Sequence, residues 1–253
     1  MRECISFTQS LLYFVVYPNL AYWITCLYYS EKYKQDKNNR IQKDKVAKLD
    51  QKTTMWYLFL VFFNTIIPPL FSTIILRYTQ GTKICRNNPD NMVLRIIAWV
   101  FIQDCIYYFV HRGLHLKCIY KYIHKIHHEV SVPWAWSTEV QHPIDSLLTN
   151  FGTFIIAAEI TQLSLWARSV VIIYMYHRGV MGHIGVNNVW NATLSLYTFD
   201  WAVFHDKHHS FPKCNYGGFT SGIYDYLFKT DFKNIYKRQT KTLIGNKKIE
   251  ILD

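Results

Sequence analysis

All eleven histidines of this 253-residue chain fall between His111 and His209. Eight of them form three tight groups: HRGLH (His111, His115), HKIHH (His124, His127, His128) and HDKHH (His205, His208, His209). Residues three and four apart on a helix share a face, so each group can turn its imidazoles toward one point without a special loop. Eight imidazoles exceed what one ion with open positions can use, and the count therefore predicts two metals. Zinc has no redox chemistry and explains open positions poorly. Neutral imidazole suits iron, and an iron pair can take up electrons, bind O2 and generate an oxidant able to remove hydrogen from an unactivated carbon. In that chemistry the histidines are ligands rather than general bases.

The elements that must hold these groups are apolar. A first apolar run extends from about Phe7 to Tyr29, a second from Met55 to Leu76 with Pro68-Pro69 near its middle, and a third from Met92 to Val110. Each is near the roughly 20 residues that a membrane-crossing helix needs. The double proline predicts a kink rather than a second crossing. Two further apolar stretches, 146–166 and 169–181, predict a helical hairpin that dips into the bilayer and returns. The expected architecture is an all-α integral membrane bundle of about four crossing or re-entrant helices, with a helical, histidine-rich cap holding a di-metal site. Its parts are membrane anchor helices over 1–94, a catalytic segment over 95–231 and a basic tail over 232–253.

Composition agrees with a lipid environment. Hydrophobic residues make up 50% of the chain and aromatic residues 17%, more than a soluble domain usually carries. The formal net charge of +11 lies between and after long apolar runs, which favours a membrane surface over nucleic acid as its partner. The stretch from Glu31 to Lys52 carries eight Lys/Arg against four Asp/Glu, and short basic loops stay on the cytosolic side. Crossing out through the second run and back through the third returns His111 to the cytosol, and a hairpin keeps His183, the third group and the tail there. Six scattered cysteines with no C-x-x-C pair predict reduced thiols rather than a disulfide framework. The N-terminus lacks a small-residue cleavage site, so its apolar run is expected to remain as an anchor.

The order HRGLH, HKIHH, HDKHH resembles the eight-histidine pattern of the fatty acid hydroxylase and sterol desaturase superfamily, over roughly Arg95 to Asp231. HRGLHLKCIYKYIHKIHHE, the later His142-Pro143 and the ending HDKHHSFPKCNYGGFTSGIYDYLFKTD are most similar to 4-methylsterol monooxygenases. The resemblance implies two Fe ions and O2, with electrons from NAD(P)H through cytochrome b5 or its reductase. It also implies an endoplasmic-reticulum membrane protein, its metal site facing the cytosol, acting on a sterol by C-4 methyl or side-chain oxidation. A fatty-acid or sphingolipid hydroxylase and a sterol C-5 desaturase are the alternatives within the superfamily. A non-enzymatic metal transporter is the alternative outside it, but that function would place ligands inside the first three apolar runs. Carried over residue by residue, the ligand boxes are His111, His115, His124, His127, His128, His205, His208 and His209, with His142 and His183 as two further matches. His183 stands in GHIGVN where relatives have His-Ser-Gly-Tyr, and Leu116 replaces a histidine frequent after the first box. These departures bear on substrate choice.

Other polar residues admit two readings. Asp104, Glu139, Asp206 and Asp225 can either orient ligands through outer hydrogen bonds or be ordinary carboxylates, and His177 fits an interfacial position. Trp134, Trp136, Phe199, Trp201, Phe204, Phe211, Tyr216, Tyr224 and Tyr226 fit either a flat apolar pocket or an interfacial belt. His142-Pro143 lacks the glycines of a cytochrome b5 haem motif, so the electrons are expected from a separate protein.

Overall fold

In the computed structural model, residues 2–33, 38–42, 50–81, 83–87, 90–187, 201–218 and 222–236 are described. Phe199 and the tail beyond residue 236 lie outside them, as does part of the basic loop. Three helices are long and apolar enough to cross a membrane: α1 (Phe7–Tyr33), α2 (Gln51–Gln80) and α3 (Met92–Leu114). Short helices α4 (Lys117–Tyr120) and α5 (Lys125–Glu129) and a 3-10 turn (Ala135–Glu139) follow. Helix α6 runs over 143–160 with a π-helical stretch at Leu147–Gly152, and α7 spans Leu165–His183. Helices α8 (Trp201–Ser210) and α9 (Ile223–Phe228) complete the order.

Helix α2 continues through Pro68 and Pro69. Each proline lacks the N–H that would bond the carbonyl four residues earlier, which frees the oxygen of Thr65 opposite Pro69. Asn19 of α1 repairs this, since its side-chain amide donates to Thr65 O at 2.7 Å and to Val15 O at 2.8 Å. In lipid such a carbonyl has no water to turn to, so Asn19, which interrupts the first apolar run, serves as a bolt between α1 and α2.

The hairpin reaches farther than expected from the sequence. Arg95, near the start of α3, donates to Thr161 O at 3.0 Å, and Leu165 is buried with Ile5, Phe14 and Ile84. The turn between α6 and α7 thus lies at the end of the bundle opposite the histidines. With 19 residues at 1.5 Å each, α7 is about 28 Å long, close to the thickness of a bilayer core. A two-strand antiparallel sheet, β1 (Arg2–Ser6) with β2 (Lys83–Asn87), closes this end. Its register pairs Cys4 with Cys85, and the two form a disulfide, while Cys26, Cys105, Cys118 and Cys214 are free. The expectation of six reduced thiols is corrected here. Cysteines 81 residues apart meet only because the sheet brings the ends of two helices together, which spacing along the chain does not reveal.

The main core joins the N-terminal helices to the histidine-bearing part: Tyr22 and Cys26 of α1 and Leu60 of α2 pack with Val180 of α7 and Trp201 of α8. Asn64, buried within α2, donates its amide to the carbonyls of Glu139 and Gln141 at 2.9 and 2.8 Å. The span therefore pins the irregular segment that leads into α6.

Candidate metal centre

The last turn of α3 delivers His111 and His115, the α4–α5 corner delivers His124, His127 and His128, α7 ends on His183, and α8 carries His205, His208 and His209. They sort into two sets whose ligand atoms lie within 4.8 Å of one another: His111, His115, His124, His128 and His208, and separately His127, His183, His205 and His209. The middle group is split between the sets, so the tripeptide step from His124 to His127 bridges them. His183, isolated in sequence, contributes to the second set. His142 joins neither. Its ring accepts from Ile144 N at 3.1 Å and caps α6, where Pro143 begins the helix.

Outer hydrogen bonds fix how the rings face. Carbonyl and carboxylate oxygens only accept, so Nδ1–H donates from His111 to Tyr216 O (3.0 Å), from His124 to Asp145 (2.6 Å), from His127 to Val140 O (3.2 Å), from His183 to Gly179 O (2.8 Å) and from His208 to Cys214 O (2.6 Å). Each such ring presents a bare lone pair on Nε2. Yet Nε2 of His111 and His124 stand 3.0 Å apart, and Nε2 of His127 and His183 stand 3.3 Å apart. Two lone pairs at that distance repel, and a cation between them removes the conflict. With metal–nitrogen bonds of about 2.1 Å, neighbouring donors lie about 3.0 Å apart around an octahedral ion and about 3.4 Å apart around a tetrahedral one. The observed 3.0–3.3 Å matches such coordination, and five donors in the first set exceed a tetrahedral shell. The donor set fits two metal ions of the imidazole-binding, six-coordinate kind.

Burial helps hold the rings in the neutral form that binds metal. It pushes His127 down to about 4 and His208 to about 3, with the neighbouring His124 ring adding to the effect in both. His128, His205 and His209 are pushed down by burial first and by other imidazoles second.

The carboxylates divide by role. Asp145 is fully buried against His124; its one signal in the sequence is an acid in the first turn of a helix opened by His142-Pro143. Asp225 accepts from Tyr216 N at 2.9 Å and Thr230 at 2.7 Å and so holds the backbone whose carbonyl orients His111. Its carboxyl is pushed up to about 6, by burial foremost. Glu139 accepts from Gln141 (3.0 Å) and Asn150 (3.1 Å). Asp206 accepts from Gln42, which also donates to Ser131 O, tying residues of the basic loop over the cap. Asp104 faces the interior of α3's packing, and a side chain at Gly218 would collide with its carboxylate. Gly185 adopts a left-handed conformation (φ +67) with Pro133 O where a Cβ would stand, so the glycine of GHIGVN is required although its neighbours depart from the expected motif. Of the aromatic set, Trp201 is buried and donates to Arg178 O at 2.8 Å. Phe211 and Tyr226 are exposed.

A helical membrane bundle with two adjoining histidine clusters able to hold metal is the class that fold and site define. The chain belongs to the fatty acid hydroxylase family, whose pattern it matches over residues 96–230. It is 29% identical to a methylsterol monooxygenase of Aspergillus fumigatus, over 78% of this chain and 68% of that protein. It is 31% identical to a fatty acid hydroxylase of Mycosarcoma maydis, over 68% of this chain and 44% of that one. To a very-long-chain aldehyde decarbonylase of Oryza sativa it is 30% identical, over 55% and 53%. The chain spans about half the length of several of these relatives. No solved structure matches it.

Proposed function

We propose that the protein is an O2-dependent lipid oxidase that uses two irons to hydroxylate a sterol, at a C-4 methyl or a side-chain carbon. The observation that carries this reading is the paired Nε2 lone pairs at 3.0 and 3.3 Å, one pair in each set, which call for two cations side by side. The proposed ligands are the nine gathered histidines. When bound, the metals would supply the oxidising power for a balanced reaction: one C–H bond and O2, with two electrons and two protons, give one C–OH and water. The chain's own part is to hold the imidazoles neutral and oriented through Tyr216 O, Asp145, Val140 O, Gly179 O and Cys214 O. Packing then decides which carbon is presented.

Cytochrome b5 or its reductase is the proposed electron donor. The proposed orientation has the metal end in the cytosol, which the basic loop and the crossing parity support. The Cys4–Cys85 disulfide at the other end suits an oxidising lumen, so the proposed location is the endoplasmic-reticulum membrane. The test is lipid mass spectrometry on membranes of deletion cells complemented with the wild type or with His127→Ala/His128→Ala. One sterol precursor should accumulate and be cleared by the wild type alone. A second reading, oxidation of a fatty acyl chain, is favoured by the similarity to the Mycosarcoma maydis hydroxylase; accumulation of an unhydroxylated acyl lipid with unchanged sterols would select it.

A further inference from the structure

Three cavities lie end to end along the α6–α7 hairpin. The outermost, of about 180 Å³, is walled by Phe14 of α1, Pro69 and Leu76 of α2, and both hairpin helices. It shares Phe151, Phe154 and Ile172 with a middle cavity of about 30 Å³, which shares Thr138 and Asn150 with an inner one of about 20 Å³. The inner cavity is bounded by His124, His127, His183 and His205. One stripe of α7 crosses all three: Arg168 and Ile172 outside, Tyr176 in the middle, Gly179 and His183 inside. These positions are spaced four, four, three and four apart, the repeat of one helix face. Fifteen residues at 1.5 Å make the path about 22 Å long, on the scale of an elongated lipid. The outer and middle walls are mainly apolar, while histidines with Gln141 and Asp145 line the inner end.

At that middle point Tyr176 is 7% exposed, and its hydroxyl has no hydrogen-bond partner among the described residues. A buried hydroxyl left without a partner is costly. The groups bounding the same cavity include Thr138, Glu139 and Asn150. We infer that Tyr176 is the station for the oxygen of the substrate: an elongated lipid lies along the hairpin, its hydroxyl on Tyr176, its apolar body between α2 and α7, and the carbons beside the hydroxyl toward the inner, histidine-lined cavity. This rests on the sterol reading only for the identity of the lipid, in which the oxygen is the sterol's own hydroxyl.

The test uses the purified, metal-loaded full chain in nanodiscs. Binding of a tritiated 4,4-dimethyl sterol with a free 3-hydroxyl is compared with that of its 3-methyl ether, and a long-chain fatty alcohol with its methyl ether. The proteins are wild type, Tyr176→Phe and Ile172→Trp, with metal content measured on every sample. The wild type should prefer the free hydroxyl by about three- to tenfold, the worth of one net hydrogen bond. Tyr176→Phe should abolish that preference while keeping its metals and its affinity for the ether. Ile172→Trp should weaken both members of the pair by narrowing the path. A preference that survives in Tyr176→Phe overturns the assignment, and so does a wild type with no preference in either pair. A Tyr176-dependent preference for the alcohol with no sterol binding keeps the station and removes the sterol.

Discussion

Nδ1 of His124 lies 2.6 Å from a carboxylate oxygen of Asp145, and both side chains are buried. His124 is also the ring whose Nε2 meets both His111 and His128 in the first metal set, so Asp145 orients the most connected ligand of that set. Asp145→Ala should lower metal affinity by about 10- to 100-fold. Metal analysis of protein dialysed against a graded chelator would show it, with the first set emptying before the second.

His142 and His183 should part company under substitution. His183→Ala removes one of four donors from the second set and is expected to reduce bound metal toward one ion per chain. His142→Ala removes only a helix cap, which costs about 1 kcal/mol of stability and should leave both ions in place. Equal metal loss in the two variants would contradict the placement of His142 outside the sets.

Glu139 supplies a pH signature. Burial pushes its carboxyl up to about 8, so the folded protein keeps a proton that the unfolded chain gives up near the ordinary carboxyl value. The folded state then binds more protons than the unfolded state, and stability falls as pH rises through that window. Its contribution is fully present below about pH 4.5 and lost by about pH 8. Glu139→Gln should flatten the fall in melting temperature between those limits, measured by thermal unfolding in detergent.

The three histidine groups were legible in the sequence because helical spacing alone turns them to common faces, and the apolar runs because length and composition define them. His183 became legible only through its likeness to relatives. Asn64 left no local signal and Asp145 only a weak one, since each acts on a partner that the fold, rather than the chain order, brings near. Asn64 bonds residues 75 and 77 positions away. His142 stands beside the boxes in sequence, and in the fold it caps α6, where Pro143 begins the helix. The hairpin's full depth was hidden because α6 is split by a π-helical stretch and its apolar run is interrupted by Glu159, which pairs with Arg168 at 3.0 Å.

Asn64→Leu should test that reach. It strips the donor from two buried carbonyls, and each abandoned group costs about 1–3 kcal/mol. A clear drop in melting temperature is expected, together with weaker retention of metal at the second set, because the released segment carries Val140, whose carbonyl orients His127.

Orientation is open to a chemical readout. Cys118 is exposed at the histidine end, and Cys4 and Cys85 are joined at the other. In sealed microsomes an impermeant maleimide should label Cys118 directly. Cys4 and Cys85 should react only after the membrane is opened and the protein reduced. Labelling in the reverse order would turn the protein over in the membrane.

The stripe along α7 makes the hairpin a gauge. The two histidine sets lie at its fixed end, on α3, α5, α8 and the last turn of α7, while its far turn rests on the small sheet and on Arg95. Adding or deleting one helical turn in both arms between Tyr176 and the Glu159–Arg168 pair would move that far stop by about 5.4 Å without touching a ligand. On the proposed reading, such a change would retune how long a lipid is accepted while the chemistry at the histidines stays the same, a route by which one scaffold can be fitted to molecules of different lengths.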